Sequence, residues 1–68
     1  MTDAEICRKN DWTVGTRLVG DEGHGPTVIE LTAIGESEIL AKEISHRGIE
    51  GRFRERTWTL SCRKWEKT

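Results

Sequence analysis

Tyrosine is absent from the 68 residues, proline and phenylalanine occur once each, and there are only two cysteines, Cys7 and Cys62. Two cysteines are too few for the disulfide framework that holds small secreted domains together. A cytoplasmic setting with free thiols is therefore expected. No run of apolar residues approaches the roughly eighteen positions of a membrane span. The start, Met1-Thr2-Asp3-Ala4-Glu5, is acidic with no apolar run behind it, which argues against a secretory leader. Charge of one sign is also missing: 11 Lys and Arg against 12 Asp and Glu give a net −1. Sequence-independent DNA binding calls for a basic domain, so nucleic acid is not the expected partner.

What is present is enough for one domain. A chain of this length buries only about 60% of the surface it exposes when unfolded. Such a core rarely supplies more than roughly 3–5 kcal/mol. Without a disulfide framework or a recognisable zinc site, self-association is the expected source of further stability, so a homo-oligomer is anticipated. No cofactor is implied.

Residues 1–10 are polar and lack periodicity, and suggest a flexible N-terminal arm with at most one turn of helix around Ala4 to Arg8. The single β domain is expected over residues 11–68. A first strand is expected from Trp12 to Gly20, with Gly15 marking a bulge. Gly20 to Pro26 holds three glycines and the proline and is a loop. Thr27 to Ile34 is rich in β formers. After the turn Gly35-Glu36-Ser37-Glu38, Ile39 to Ser45 forms the other half of a hairpin, with a helix over Ser37 to Ile44 as the competing assignment. Arg52 to Leu60 alternates as a strand, and Cys62 to Trp65 gives a last short one. These elements make an all-β fold, a small five-stranded curled sheet or barrel.

The opening Trp12-Thr13-Val14-Gly15-Thr16-Arg17-Leu18, the turn Ile34-Gly35-Glu36 and the closing Trp58-Thr59-Leu60 together resemble the SH3-like small-barrel class over roughly residues 11–66. Barrel membership by itself implies no function. In size and style the sequence also resembles very small bacteriophage-encoded proteins. Some of those are anti-defence sponges that bind cyclic nucleotide signals, and the resemblance implies a viral protein acting in the host cytoplasm.

Catalytic constellations are hard to assemble. Ser45 and His46 are adjacent, and on a strand adjacent side chains point to opposite faces, so they cannot share a proton. Cys7, His24, His46 and Cys62 have the types of zinc ligands but not their paired spacing. Gly20-x-x-Gly23-x-Gly25 carries Asp21 and Glu22 where a phosphate would be repelled, and has no following lysine. A non-enzymatic protein is expected.

The feature most suggestive of binding is arginine. Arg47, Arg52, Arg54 and Arg56 lie within ten residues, beside His46. Guanidinium groups take phosphate through two parallel hydrogen bonds. On a regular strand Arg52, Arg54 and Arg56 share a face, at intervals of about 6–7 Å. Trp58 continues the row, a flat ring for a base. A solvated strand face neutralised by Glu50 and Glu55 is the plainer alternative. Of three tryptophans, Trp12 is expected in the core, and Trp58 or Trp65 at a site or interface. Glu30, Thr32, Lys42 and Thr59 are expected to face outward. The leading expectation is a binder of an anionic nucleotide-type ligand. The rivals are a protein-interaction module that inhibits a host protein, and an RNA- or DNA-binding barrel.

Overall fold

The computed structural model describes residues 1–21, 23, 25–51, 54–61 and 64–68. It is mainly β, with one short helix and six strands in a single antiparallel sheet. The elements are α1 (Asp3–Lys9), β1 (Arg17–Asp21), β2 (Pro26–Ile34), β3 (Ile39–His46), β4 (Ile49–Glu50), β5 (Glu55–Thr57) and β6 (Trp65–Lys67). The sheet runs β4-β3-β2-β1-β6, and β5 also pairs with β3, beside β4.

The central hairpin of β2 and β3 falls where the sequence suggests. Residues 39–46 are strand, not helix, because each position from Ile39 to Glu43 finds a partner on β2. Two irregularities bend this pair, one between Val28 and Ile29 and one between Leu31 and Ala33. At the first, Ile44 is the extra residue and its carbonyl accepts from Gly51 N–H at 2.8 Å. Bulges of this kind increase local twist, and here they roll the sheet around its core.

The first strand is shorter than expected. Trp12 to Thr16 do not pair as a strand, although Gly15 and Thr16 exchange backbone bonds with Leu31. The fourth expected strand is described as Glu55–Thr57 and the last as Trp65–Lys67, with Arg52, Phe53, Cys62 and Arg63 of the expected spans outside the described residues. β4 is an additional strand made by a two-residue turn. Arg47 (φ 56°) and Gly48 (φ 80°) both have positive φ, the conformation whose twist matches a tight hairpin.

Residues along the inner face form the core: Leu18, Ile29, Leu31 and Ala41 are fully buried and Ile39 nearly so. Ala4 and Cys7 of α1 are also fully buried. The anticipated loose arm is thus a packed helix. Its start was legible as Thr2-x-x-Glu5, a capping box: Thr2 Oγ1 accepts from Glu5 N–H at 3.2 Å and donates to the Glu5 carboxylate. Its end is a Schellman turn, with Trp12 N–H donating to Cys7 O at 2.8 Å past Asp11 at φ 58°. Arg8 donates to the carbonyls of Gly35 and Glu36, and Asp3 Oδ1 accepts from Leu60 N–H at 2.9 Å. The helix therefore joins the β2–β3 turn to the segment after β5.

The tryptophans are reversed from expectation. Trp58 and Trp65 are 8% and 6% exposed, whereas Trp12 is only half-buried against the core's edge. The sheet is unclosed, since β5 and β6 lie at opposite ends of the strand order and do not pair. Trp58, just past β5, meets Trp65, the first residue of β6, edge to face with centroids 6.1 Å apart. Trp65 lies opposite Gly20 on β1, where no side chain competes for the space. The two indoles meet across the gap that a backbone ladder between β5 and β6 would close in a barrel.

Removal of residues 1–9 uncovers the sites of Ala4 and Cys7 and leaves Leu60 N–H without its acceptor. The truncated chain is expected to lose cooperative unfolding in urea, whereas a loose arm could be removed with no change in midpoint.

Candidate functional site

Strand β5 carries Arg56 of the anticipated arginine row, with Arg54 one residue before it, and the register of β5 decides which way Arg56 faces. Arg56 is paired with Ala41 on β3. Residues directly opposite one another share a face of the sheet, and Ala41 is fully buried. Arg56 therefore leaves the sheet on the core side, at its rim, together with Trp58 two residues on. Arg54 and Arg56 are exposed. Arg52 lies outside the described residues.

The Arg56 guanidinium carbon sits 3.7 Å from the centroid of the Trp58 ring. The indole Nε1–H donates to Ala41 O at 3.0 Å. Trp58 is thus held by a hydrogen bond, by the edge contact with Trp65 and by a guanidinium on its face. It is not the open platform for a base that the sequence suggested. It orients Arg56 instead. Among the described residues, neither Arg54 nor Arg56 has a carboxylate within ion-pair distance. A guanidinium lying flat on a ring keeps its N–H edge available for a planar anion.

Arg47 and His46 do not join this group. Ala41 and His46 are five residues apart on β3, about 16 Å of strand. His46 ends β3, and its Nδ1 is 2.7 Å from the hydroxyl of buried Thr27. Arg47 N–H donates to Pro26 O at 2.7 Å. Its side chain lies over Gly25, where a Cβ would come 2.5 Å from Arg47 Cγ. Gly25 (φ 104°) is therefore required both for its conformation and for this approach. The glycine-rich loop is organised by its own acid: Asp21 Oδ1 accepts from Gly23 N–H at 2.6 Å and from Gly25 N–H at 3.3 Å. These amides are turned to a carboxylate and do not form a phosphate cradle. Among the described residues no three His, Cys, Asp or Glu side chains converge as metal ligands, and His24 and Cys62 lie outside them.

The outer face carries a second pattern, which sequence reading passed over as ordinary surface. Arg17 is paired with Glu30, Glu30 with Lys42 and Lys42 with Glu55. One transverse row across β1, β2, β3 and β5 thus alternates in charge. Arg17 Nε is 3.0 Å and Lys42 Nζ 3.5 Å from the Glu30 carboxylate. The hydrogen bond from Arg17 holds the Glu30 carboxyl below the ordinary range, against its partial desolvation, with Lys42 adding to the effect. Glu30 and Lys42 face outward, as expected.

A protein-family model described as "Domain of unknown function (DUF7241)" matches residues 1–68. The chain belongs to that family. No curated protein and no solved structure matches it.

Among the described residues of this DUF7241 domain, no helix is long and apolar enough to cross a membrane. Cys7 is a buried free thiol in the core. Burial, and then the nearby Asp3 carboxylate, push the thiol above its ordinary value of 9.0, partly offset by Arg8. A low-pKa reactive cysteine is the opposite arrangement, so Cys7 is a packing residue.

Three outcomes follow for the DUF7241 domain. Trp58→Phe leaves Ala41 O unsatisfied and is expected to cost about 1–2 kcal/mol by urea titration. In a Cys62→Ser background, Cys7 is expected to react with an aromatic disulfide reagent only as fast as the fold opens. Because folding raises the thiol pKa, stability is insensitive to this group below the unfolded thiol's pKa and falls as pH climbs past it toward the folded value. Urea midpoints measured between neutral and alkaline pH, with Cys7→Ala as the reference, test the sign.

Proposed function

We propose that this domain is a non-catalytic binder that sequesters an anionic, nucleotide-type ligand at the rim formed by β5. Arg54 and Arg56 are the clamp. The observation that supports this most is the Arg56 guanidinium, 3.7 Å above a buried indole and with no carboxylate of its own among the described residues. Holding an arginine in place before the ligand arrives avoids much of the side-chain ordering cost, about 0.5–1.5 kcal/mol for each immobilised chain. Arg54, one residue before β5 and also exposed, supplies a second fork for a neighbouring phosphate.

Trp58 enters this proposal as the support beneath Arg56, not as the stacking surface. A base would rest on the open side of the guanidinium plane, a contact that arginine makes readily. His46 and Arg47 belong to the far end of β3 and lie outside the clamp.

Titration calorimetry against a panel of cyclic di- and trinucleotides tests the proposal. Binding of at least one member at micromolar strength or tighter is expected. Arg56→Ala and Arg54→Ala are each expected to weaken it by about tenfold or more, the scale of a lost charge-assisted hydrogen bond. Absence of binding across the panel, or binding that neither substitution changes, would reject the proposal.

A further inference from the structure

The outer face of the sheet is the one large surface whose chemistry the anionic site does not use. Its central row reads, from one side to the other, Arg17, Glu30, Lys42, Glu55. Partly exposed apolar side chains flank it. Ala33 and Leu40 are paired on one side and Val19 and Val28 on the other. Beside Ala33 and Leu40 the surface dips into a cleft of about 310 Å³, lined also by Ile34, Gly35, Ile39 and Thr57.

A row of four charges with alternating sign has a symmetry property. Two copies stacked face to face can be related by a two-fold axis in the plane between them. If that axis runs across the strands, every charge meets its own kind. If it runs along the strands, midway between β2 and β3, the row is reversed. Arg17 then faces Glu55 of the second copy and Glu30 faces Lys42, each contact occurring twice. The same rotation puts Leu40 over Ala33, while Val28 comes over the Ser45 position. The charge pattern therefore selects one arrangement, which is how an isologous contact works.

We infer that this face is a self-association surface and that its occupant is a second copy of the chain in that orientation. The molecule measures 31 × 22 × 17 Å, so one face offers less than the about 800 Å² per copy of a standard interface. The dimer is accordingly weak, populated at high protein concentration, and independent of Arg54 and Arg56.

Sedimentation equilibrium over a wide concentration range is the test. The wild-type chain is expected to move from 7.8 kDa toward twice that mass. Arg17→Glu and Glu55→Arg each place like charges together and are expected to weaken the dimer by about tenfold or more. Mixed with one another, they are expected to restore it as a heterodimer, since each Arg then meets a Glu. Circular dichroism confirms that both variants fold. Carbodiimide coupling of a mixture of ¹⁴N and ¹⁵N wild-type chains supplies a readout free of substitutions, with Lys42–Glu30 links expected between differently labelled copies. A mass of 7.8 kDa at every concentration overturns the inference. So does a dimer that neither reversal weakens, or one whose inter-copy links avoid this row.

Discussion

Two indoles meeting edge to face hold together the ends of a sheet that does not close on itself. β5 lies along the outside of β3 and β6 along the outside of β1, so no backbone ladder joins these edges. Trp58 and Trp65 do so through side chains. Burying one tryptophan takes about 150–250 Å² from water, worth roughly 4–6 kcal/mol at about 25 cal/mol per Å². That equals the whole net stability to be expected of a core this size. The remaining architecture serves the same junction. Asp3 at the start of α1 accepts from Leu60 N–H, and Arg8 on the same helix grips the β2–β3 turn. The helix is a brace across the open end of the roll.

The same junction fixes the geometry of the proposed anion clamp. Arg56 rests on the ring that closes the sheet, so the residue that stabilises the fold also positions the guanidinium. Binding at the proposed clamp would in this way be coupled to folding without a conformational change. A ligand that engages Arg56 adds to the stability of the seam, by the general rule that whatever binds only the native state favours it. On the opposite surface, the alternating row centred on Glu30 ties β1, β2 and β3 together on the side away from the core.

The central hairpin was legible because β-branched residues from Thr27 to Ile34 end at a glycine turn, and register then follows from pattern. The β4 hairpin was less so, since Arg47 adopts a positive φ that glycine or asparagine usually marks. The helix was hidden by its length: in seven residues only Ala4 and Cys7 are fully buried, too few for periodicity to register. Thr2-x-x-Glu5 was the available signal. Of the expected arginine row, only Arg56 lies on a described strand, and Arg52 lies outside the described residues. Alternation says which residues share a side but not which side is inward, and a row holding both arginines and a tryptophan fits either choice. The pairing of Arg56 with Ala41 decides the matter, and pairing is a long-range property that one strand's sequence does not contain. Trp12 had no partner in the sequence to distinguish it from Trp58 and Trp65.

The order in which the chain is made adds a consequence to the position of β6. β1 is synthesised early but sits between β2 and the final strand, and Asp3 waits for an amide near the other terminus. No initial stretch of the polypeptide contains a finished sheet or a covered core. Contacts between distant positions must form before any of them is rewarded. While β6 is still held in the ribosomal tunnel its indole is withheld, and the sheet is completed only once that strand has emerged.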